Sequence, residues 1–249
     1  MLGFSHYLAS KEKRMRLIVI LASCLLLVRC NNQSAEKMNE ASTFYVGTYT
    51  NNKSKGIYKY ELKKDGSMYS KGLVAETSNP SFLCISTDNQ FLVAVNEISR
   101  EEDNNGTVEL YKITNDSLEF LNRSSSGGAN PCFVTINSSG TIMASNYTGG
   151  NIGLLRLTEN GKLSELLDVE QHTGKGTSDR QEAPHAHSVW FEPGTEDIIS
   201  VDLGTNELWF SRLNADNTKF EYREPGRLAM AEGAGPVSYT HLRAHETGV

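Results

Sequence analysis

From residue 43 onward, short apolar segments alternate with clusters of Gly, Asn, Asp and Ser, which are the residues that form turns. Over residues 80–123 this pattern predicts four strands, at 82–85, 91–95, 107–113 and 118–123. The same order of strands and turns returns over residues 133–169 and 188–222. No segment in this part of the chain has the 3.6-residue period of an amphipathic helix. The pattern therefore predicts an all-β protein.

Prolines mark a repeat along these strands. Pro80, Pro131, Pro184 and Pro236 follow one another at steps of 51, 53 and 52 residues, and the first three each precede a predicted strand. A repeat of this length that contains only strands is typical of a β-propeller, in which each repeat forms one four-stranded sheet, or blade. The first repeat begins at residue 44 and lacks its innermost strand, since only 44–48, 57–62 and 68–75 read as strands.

Residues 43–236 hold fewer than four such repeats. A closed ring of blades this size usually has about six to eight, so we expect this region to form part of a propeller. Residues 237–249 start like a strand and then turn polar with no second strand. We interpret them as a foreign tail.

The N-terminal region has the pattern of a signal peptide. A basic segment, residues 11–16, precedes an apolar run over 17–28 that is short for a membrane span. We predict a signal peptide of the bacterial lipoprotein type over residues 1–30, with Met15 as an alternative start, and a linker over 31–42. Cys30 is the favoured lipidation site and Cys24 the alternative. The expected location is the cell envelope, periplasm or outer membrane, with a lipid anchor as the membrane attachment.

The composition and net charge of the chain limit the kinds of partner that it can bind. The chain is 38% hydrophobic and 22% charged, with a net charge of −6. It lacks the clustered Lys and Arg that phosphate contacts require, which argues against nucleic acid. Small molecules or proteins remain as partners. Cys84 and Cys132 lie in apolar strands, and we expect both to be buried core residues.

Polar residues recur where the predicted second strands end. The first and second strands of a blade are antiparallel, so the start of one and the end of the other lie at the same edge. The fourth repeat begins with His185 and His187, whose side chains point to the same side of an extended chain. The second strands end at Thr48-Tyr49, Asn96-Glu97, Asn146-Tyr147 and Asp202. We expect these residues to gather at one edge.

Several roles are open to this group. A histidine suits general-base chemistry near neutral pH, whereas the asparagines and Asp202 could simply cap backbone groups. His185 and His187 could also hold zinc if Asp202 or Glu97 supplied a third ligand. No cysteine ligand or His-rich segment supports a metal, so we predict no metal or other cofactor.

Several phrases in the chain resemble the lactonase family of seven-bladed β-propellers, which includes 6-phosphogluconolactonase and the fungal carboxymuconate cycloisomerases. The family normally continues its Gly-x-Gly-Pro phrase with Arg-His, where this chain has Val237-Ser238. The matching phrases include Tyr45-Val46-Gly47-Thr48-Tyr49, Pro184-His185-Ala186-His187, Asp202-Leu203-Gly204 and Gly233-Ala234-Gly235-Pro236.

The resemblance implies hydrolysis of a sugar lactone. It implies His185 as general base, with His187 and Glu97 orienting the base or the attacking water. The substrate would be bound by Arg180, Asn146, Tyr147, Asp202 and Asn96. Export argues against a phosphorylated lactone, so an envelope enzyme is expected to act on free aldonolactones or other lactones. Three alternatives stay open: a non-catalytic surface propeller that binds glycan or protein, a lactone-forming cycloisomerase-like enzyme, and a metal-dependent lactonase.

Overall fold

The computed structural model describes residues 42–99, 104–193, 195 and 197–240. Cys24, Cys30 and the predicted signal peptide lie outside these residues, as does most of the predicted tail. The part of the chain that is described is built from strands and turns, which confirms the all-β prediction. It contains no helix long and apolar enough to span a membrane.

The strands form four antiparallel sheets in chain order. The first sheet has three strands, β1 (Ser42–Val46), β2 (Gly56–Leu62) and β3 (Met68–Glu76). The second sheet contains β4 (Leu83–Ile85), β5 (Phe91–Asn96), β6 (Thr107–Ile113) and β7 (Leu118–Ser125). The third contains β8 (Pro131–Ile136), β9 (Thr141–Asn146), β10 (Asn151–Arg156) and β11 (Asp168–Gln171). The fourth contains β12 (Ala186–Phe191), β13 (Asp197–Asp202), β14 (Glu207–Leu213) and β15 (Phe220–Ala229).

Each four-stranded sheet is a meander whose neighbouring strands are consecutive in the chain. This is the blade arrangement that the repeat predicts. The first sheet has three strands within the described residues, again as predicted.

Two outer strands differ from the sequence-based prediction. β11 begins at Asp168 rather than near Leu163, because residues 164–167 bulge out beyond an isolated bridge between Leu157 and Leu163. β15 continues to Ala229, beyond residue 222 where the sequence predicts its end. Residues 223–226 instead loop out opposite the single residue Phe210, after which the pairing with β14 resumes.

Contacts divide the described chain into a small unit, residues 42–44 and 60–69, and a large unit, residues 45–59 and 70–240. In the small unit Phe44 stacks on Tyr60 with ring centroids 5.5 Å apart. Its turn is closed by the Lys63 N–H, which donates to the Ser67 carbonyl at 2.9 Å. The site described below lies entirely in the large unit.

The apolar core of the large unit lies between neighbouring sheets. β9 is buried along its whole length. Successive side chains of a strand point to opposite faces of the sheet, and both faces of β9 are covered by neighbouring sheets. Ile142 and Ala144 pack with Val93 and Val95 of the second sheet. Met143 packs with Val189 and Ile198 of the fourth sheet. A strand covered on both faces needs a continuous apolar run, which is what the sequence shows at 142–144.

A backbone hydrogen bond repeats at the same place in three sheets. The carbonyls of Asn79, Asn130 and His185 accept the N–H groups of Glu97, Tyr147 and Leu203, each at 3.0 Å. The equivalent positions are therefore 51 and 55 residues apart. Pro80 and Pro131 follow their equivalent residue, whereas Pro184 precedes His185. The proline spacing is thus wrong by two residues in the fourth sheet.

We predict that Ile142→Ala destabilises the protein by about 2–5 kcal/mol, since it removes buried methyl groups and leaves a cavity between two sheets. Urea unfolding followed by tryptophan fluorescence measures the change. Ser138→Ala, on an exposed turn, is the control and should stay within about 0.5 kcal/mol of the parent. Equal midpoints for the two variants would contradict the packing described here.

Candidate functional site

The packing of the third sheet against the fourth brings their predicted site residues together, at the edge where the repeated backbone bond lies. Tyr147 follows β9, His185 precedes β12, and His187 lies within β12. The ring of Tyr147 stacks on His185 with centroids 4.4 Å apart and an interplanar angle of 8°. It also meets His187 edge to face at 5.8 Å. The predicted convergence of polar rings at this edge is present in the structure.

His185 is held through both ring nitrogens. Its Nδ1 lies 3.0 Å from the Tyr147 carbonyl oxygen, and its Nε2 lies 3.3 Å from Oε1 of Glu182. The side chain is mostly buried, whereas Glu182 is largely exposed. These contacts and the stacking on Tyr147 fix the orientation of the His185 ring.

His187 occupies a bulge and has a freer ring. Ala186 pairs with Asp202 and Ser188 with Val201, so His187 is the extra residue in β12. Burial lowers the pKa of His187 below its ordinary value; a hydrogen bond to its own backbone and the charge of Glu97 partly oppose the change, and the charge of Arg180 adds to it. The structure gives no hydrogen bond between the His187 ring and another described residue. At neutral pH this ring is uncharged and available to accept a proton.

Glu97 adds a carboxylate to the same edge. It follows β5, and its Oε2 accepts a hydrogen bond from the Tyr49 hydroxyl at 2.7 Å. This bond, together with burial and the charge of Glu97, raises the pKa of Tyr49 to about 12. Tyr49 therefore stays protonated as a donor. The sequence places it at this edge but not among the expected site residues.

Arg180 is the cation of the described site. Its guanidinium is exposed and donates to the Tyr147 hydroxyl at 3.2 Å. The loop that carries it is held by Gln181, which is almost fully buried. The Gln181 amide donates to the Leu203 carbonyl at 2.9 Å. A positively charged side chain thus stands in solvent beside the two histidines.

Three residues expected to bind substrate are instead buried. Asn96, Asn146 and Asp202 are at most 1% exposed, so their side chains do not reach a bound molecule. Asn96 donates to the Ser78 carbonyl at 2.7 Å. Asn146 donates to the Ser126 carbonyl at 2.8 Å. The capping alternative describes their geometry, because the ends of buried strands leave backbone groups that need partners.

Two neighbours of the site were not expected from the sequence. His172, at the end of β11, is buried and its Nδ1 lies 2.7 Å from Oδ2 of Asp202. Cys132 occupies the bulge in β8 that corresponds to His187 in β12, and its Sγ lies 3.5 Å from the His187 carbonyl oxygen. Burial, with the nearby charge of Glu97, raises the pKa of Cys132 to about 12, so it is an uncharged thiol. It is only partly buried, and both it and Cys84 are free thiols.

The zinc alternative depends on a third ligand beside the two histidines. Among the described residues no group of three or more His, Cys, Asp and Glu side chains is arranged to hold a metal ion. Asp202, one candidate ligand, has both oxygens occupied by His172, by the His185 N–H and by the Thr205 N–H.

A sequence profile described as "Lactonase, 7-bladed beta-propeller" matches residues 43–246. The chain belongs to this lactonase family. The match covers all four described sheets and every site residue named above.

Individual members of the lactonase family resemble the chain along most of its length. A 6-phosphogluconolactonase of Bacillus subtilis is 34% identical over 205 residues, which is 81% of this chain and 56% of the relative. The crystal structure of a Bacteroides fragilis protein is 32% identical with a TM-score of 0.73, covering 80% of this chain and 57% of that one. The periplasmic gluconolactonase PpgL of Pseudomonas aeruginosa is 27% identical with a TM-score of 0.72, covering 79% and 58%. The chain thus spans little more than half the length of these family members.

Removing the charge of Glu97 and removing the charge of Arg180 should shift the pKa of His187 in opposite directions. Glu97→Gln removes a charge that raises the pKa of His187, so the imidazole should titrate at lower pH than in the parent. Arg180→Gln removes a charge that lowers this pKa, so titration should move to higher pH. NMR of the His187 ring protons measures both. Shifts of the same sign in the two variants would contradict the charge arrangement.

Proposed function

We propose that the protein is a lactone hydrolase that opens a sugar lactone with His187 as general base. The observation that carries this proposal is a half-buried, uncharged imidazole that meets the Tyr147 ring edge to face and is within range of the charges of the Glu97 carboxylate and the exposed Arg180 guanidinium. The sequence assigned the base to His185. Both ring nitrogens of His185 face acceptors, so its role is to fix the position of Tyr147 and the neighbouring chain.

The reaction needs three groups. His187 takes a proton from water as the water oxygen adds to the lactone carbonyl, and the resulting imidazolium is stabilised by the charge of Glu97. Arg180 faces the oxyanion that forms on the carbonyl oxygen. When the ring C–O bond breaks, the leaving oxygen takes the proton back from His187, which yields the open hydroxy acid. Water is consumed and His187 returns to its starting state.

An unphosphorylated sugar lactone is the favoured substrate class. The charge of Glu182 acts on Arg180 and that of Glu97 acts on His187, and these carboxylates would repel a phosphate dianion. The similarity to a periplasmic gluconolactonase and the signal-peptide pattern over residues 1–30 both support an envelope enzyme that acts on free aldonolactones. The similarity to the Bacillus subtilis enzyme makes 6-phosphogluconolactone the substrate to compare.

Acid release above the buffer rate tests the proposal. The substrates are glucono-δ-lactone, 6-phosphogluconolactone and simple aliphatic lactones. We expect hydrolysis with a higher kcat/KM for the unphosphorylated sugar lactone. His187→Ala should lower kcat/KM by about 10²–10⁴-fold, the usual contribution of a general base. Ser138→Ala lies at the opposite end of the third sheet and should match the parent.

Other results would overturn parts of this proposal. No hydrolysis above the His187→Ala rate on any lactone would favour a non-catalytic binding protein. Activity abolished by a chelator and restored by zinc would favour the metal-dependent alternative. A larger loss for His185→Ala than for His187→Ala would return the base to His185.

A further inference from the structure

A buried histidine–aspartate pair lies directly behind the site, out of reach of solvent. Asp202 and His172 have fully buried side chains, and His172 Nδ1 lies 2.7 Å from Asp202 Oδ2. The hydrogen bond and charge of His172, with two backbone N–H groups, outweigh the effect of burial and lower the pKa of Asp202. A buried pair of this kind is weak evidence for stability, because the attraction between the two side chains must first offset the free-energy cost of removing them from water. Its geometry indicates another purpose.

The second oxygen of Asp202 binds the chain that carries the site. Oδ1 accepts the backbone N–H of His185 at 2.9 Å and that of Thr205 at 2.7 Å. The His185 carbonyl in turn accepts the Leu203 N–H. Both backbone groups of His185 are therefore fixed by residues 202–203, immediately before the bulge at His187.

The second and third sheets hold the equivalent backbone N–H groups without a carboxylate. Asn96 and Asn146 end the equivalent strands, and each donates its amide to a backbone carbonyl. The N–H groups equivalent to that of His185 bond elsewhere: Asn79 to the Thr50 hydroxyl at 3.2 Å and Asn130 to the Ile98 carbonyl at 2.9 Å. The fourth sheet alone among these three uses a carboxylate to hold this N–H. A buried carboxylate needs a partner, and His172 supplies it.

His172 is itself confined on several sides. Its ring stacks on Trp209 with centroids 4.1 Å apart. Its Nε2 lies 3.2 Å from the Ser200 hydroxyl and 4.0 Å from Oε2 of Glu170. Arg227 lies over Trp209 at 3.7 Å from the ring centroid. The imidazole therefore presents Nδ1 to Asp202 in one orientation.

We propose that His172 and Asp202 are positioning residues for the reaction, which hold the backbone of His185 and thereby the His187 bulge. The inference rests on the proposed function. Neither side chain contacts the substrate, and the pair acts through the segment from 185 to 187.

Amide hydrogen exchange measured by NMR tests the positioning without any activity. Asp202→Ala removes the acceptor, so the His185 and Thr205 amides should exchange faster than in the parent. Asp202→Asn keeps an oxygen acceptor and resembles the natural residue of the neighbouring sheets, so it should restore part of the protection. Unchanged exchange at His185 in Asp202→Ala would overturn the proposal.

Kinetics test whether the positioning serves catalysis. We expect His172→Phe to lower kcat by about 10²-fold with little change in KM, as small displacements of reacting groups do. Combined with His187→Ala, His172→Phe should cost little more, because both changes disable the same step. Losses that multiply in the double variant would show a separate structural effect and overturn the catalytic role.

Glu109→Gln is the matched control. Glu109 is a buried carboxylate of the second sheet, paired with Arg123 and bonded to Thr77, and it has no contact with the site. The Glu109→Gln variant should have a lower melting temperature than the parent and an unchanged kcat.

If His172→Phe fails to fold, His172→Gln, which keeps a donor for Asp202, takes its place in both measurements. If the parent hydrolyses no lactone, the proposed function fails, and the exchange measurements still decide the positioning.

Discussion

One backbone hydrogen bond, repeated in three sheets, sets the position of the candidate site. It joins a residue that precedes each first strand, Asn79, Asn130 or His185, to the residue after each second strand, Glu97, Tyr147 or Leu203. Since the sheets pack face to face through apolar strands, the polar groups that follow those strands lie at one edge. The apolar packing provides the stability, and the hydrogen bond determines which side chains meet. Any chemistry at this edge depends on that register.

Burial then separates the groups that hold the edge from the groups that can react. Asn96, Asn146 and Asp202 end their strands inside the protein and hydrogen-bond to backbone or side-chain groups, while Oδ1 of Asn146 has no hydrogen-bond partner among the described residues. Glu97 follows Asn96, His187 occupies the bulge in β12 and Arg180 lies on the preceding loop, and all three reach solvent. A buried polar side chain is costly unless it is bonded, so the inner group is committed to structure. The outer group keeps free lone pairs and donors for a ligand.

Much of this was predictable because it depends on local pattern. Alternation and turn residues predict the strands, and antiparallel pairing predicts the common edge. The sequence could not separate Asn146 from Tyr147, since a polar residue at a strand end reads the same whether it caps or binds. His172 was missed because its partner, Asp202, is 30 residues away and nothing local marks the pair. The continuation of β15 beyond residue 222 was missed because the bulge at residues 223–226 interrupts the local strand pattern.

The central claim is that a small sugar acid or lactone binds beside His187 at the edge formed by Glu97, Tyr147 and Arg180. NMR of histidine-labelled protein during titration with gluconate, the product of the proposed reaction, tests this directly. If gluconate binds beside His187, we expect saturable shifts of the His187 ring signals, smaller shifts for His185, and none for buried His172. Saturable shifts at His172 without any at His187, or no shift at millimolar gluconate, would contradict it.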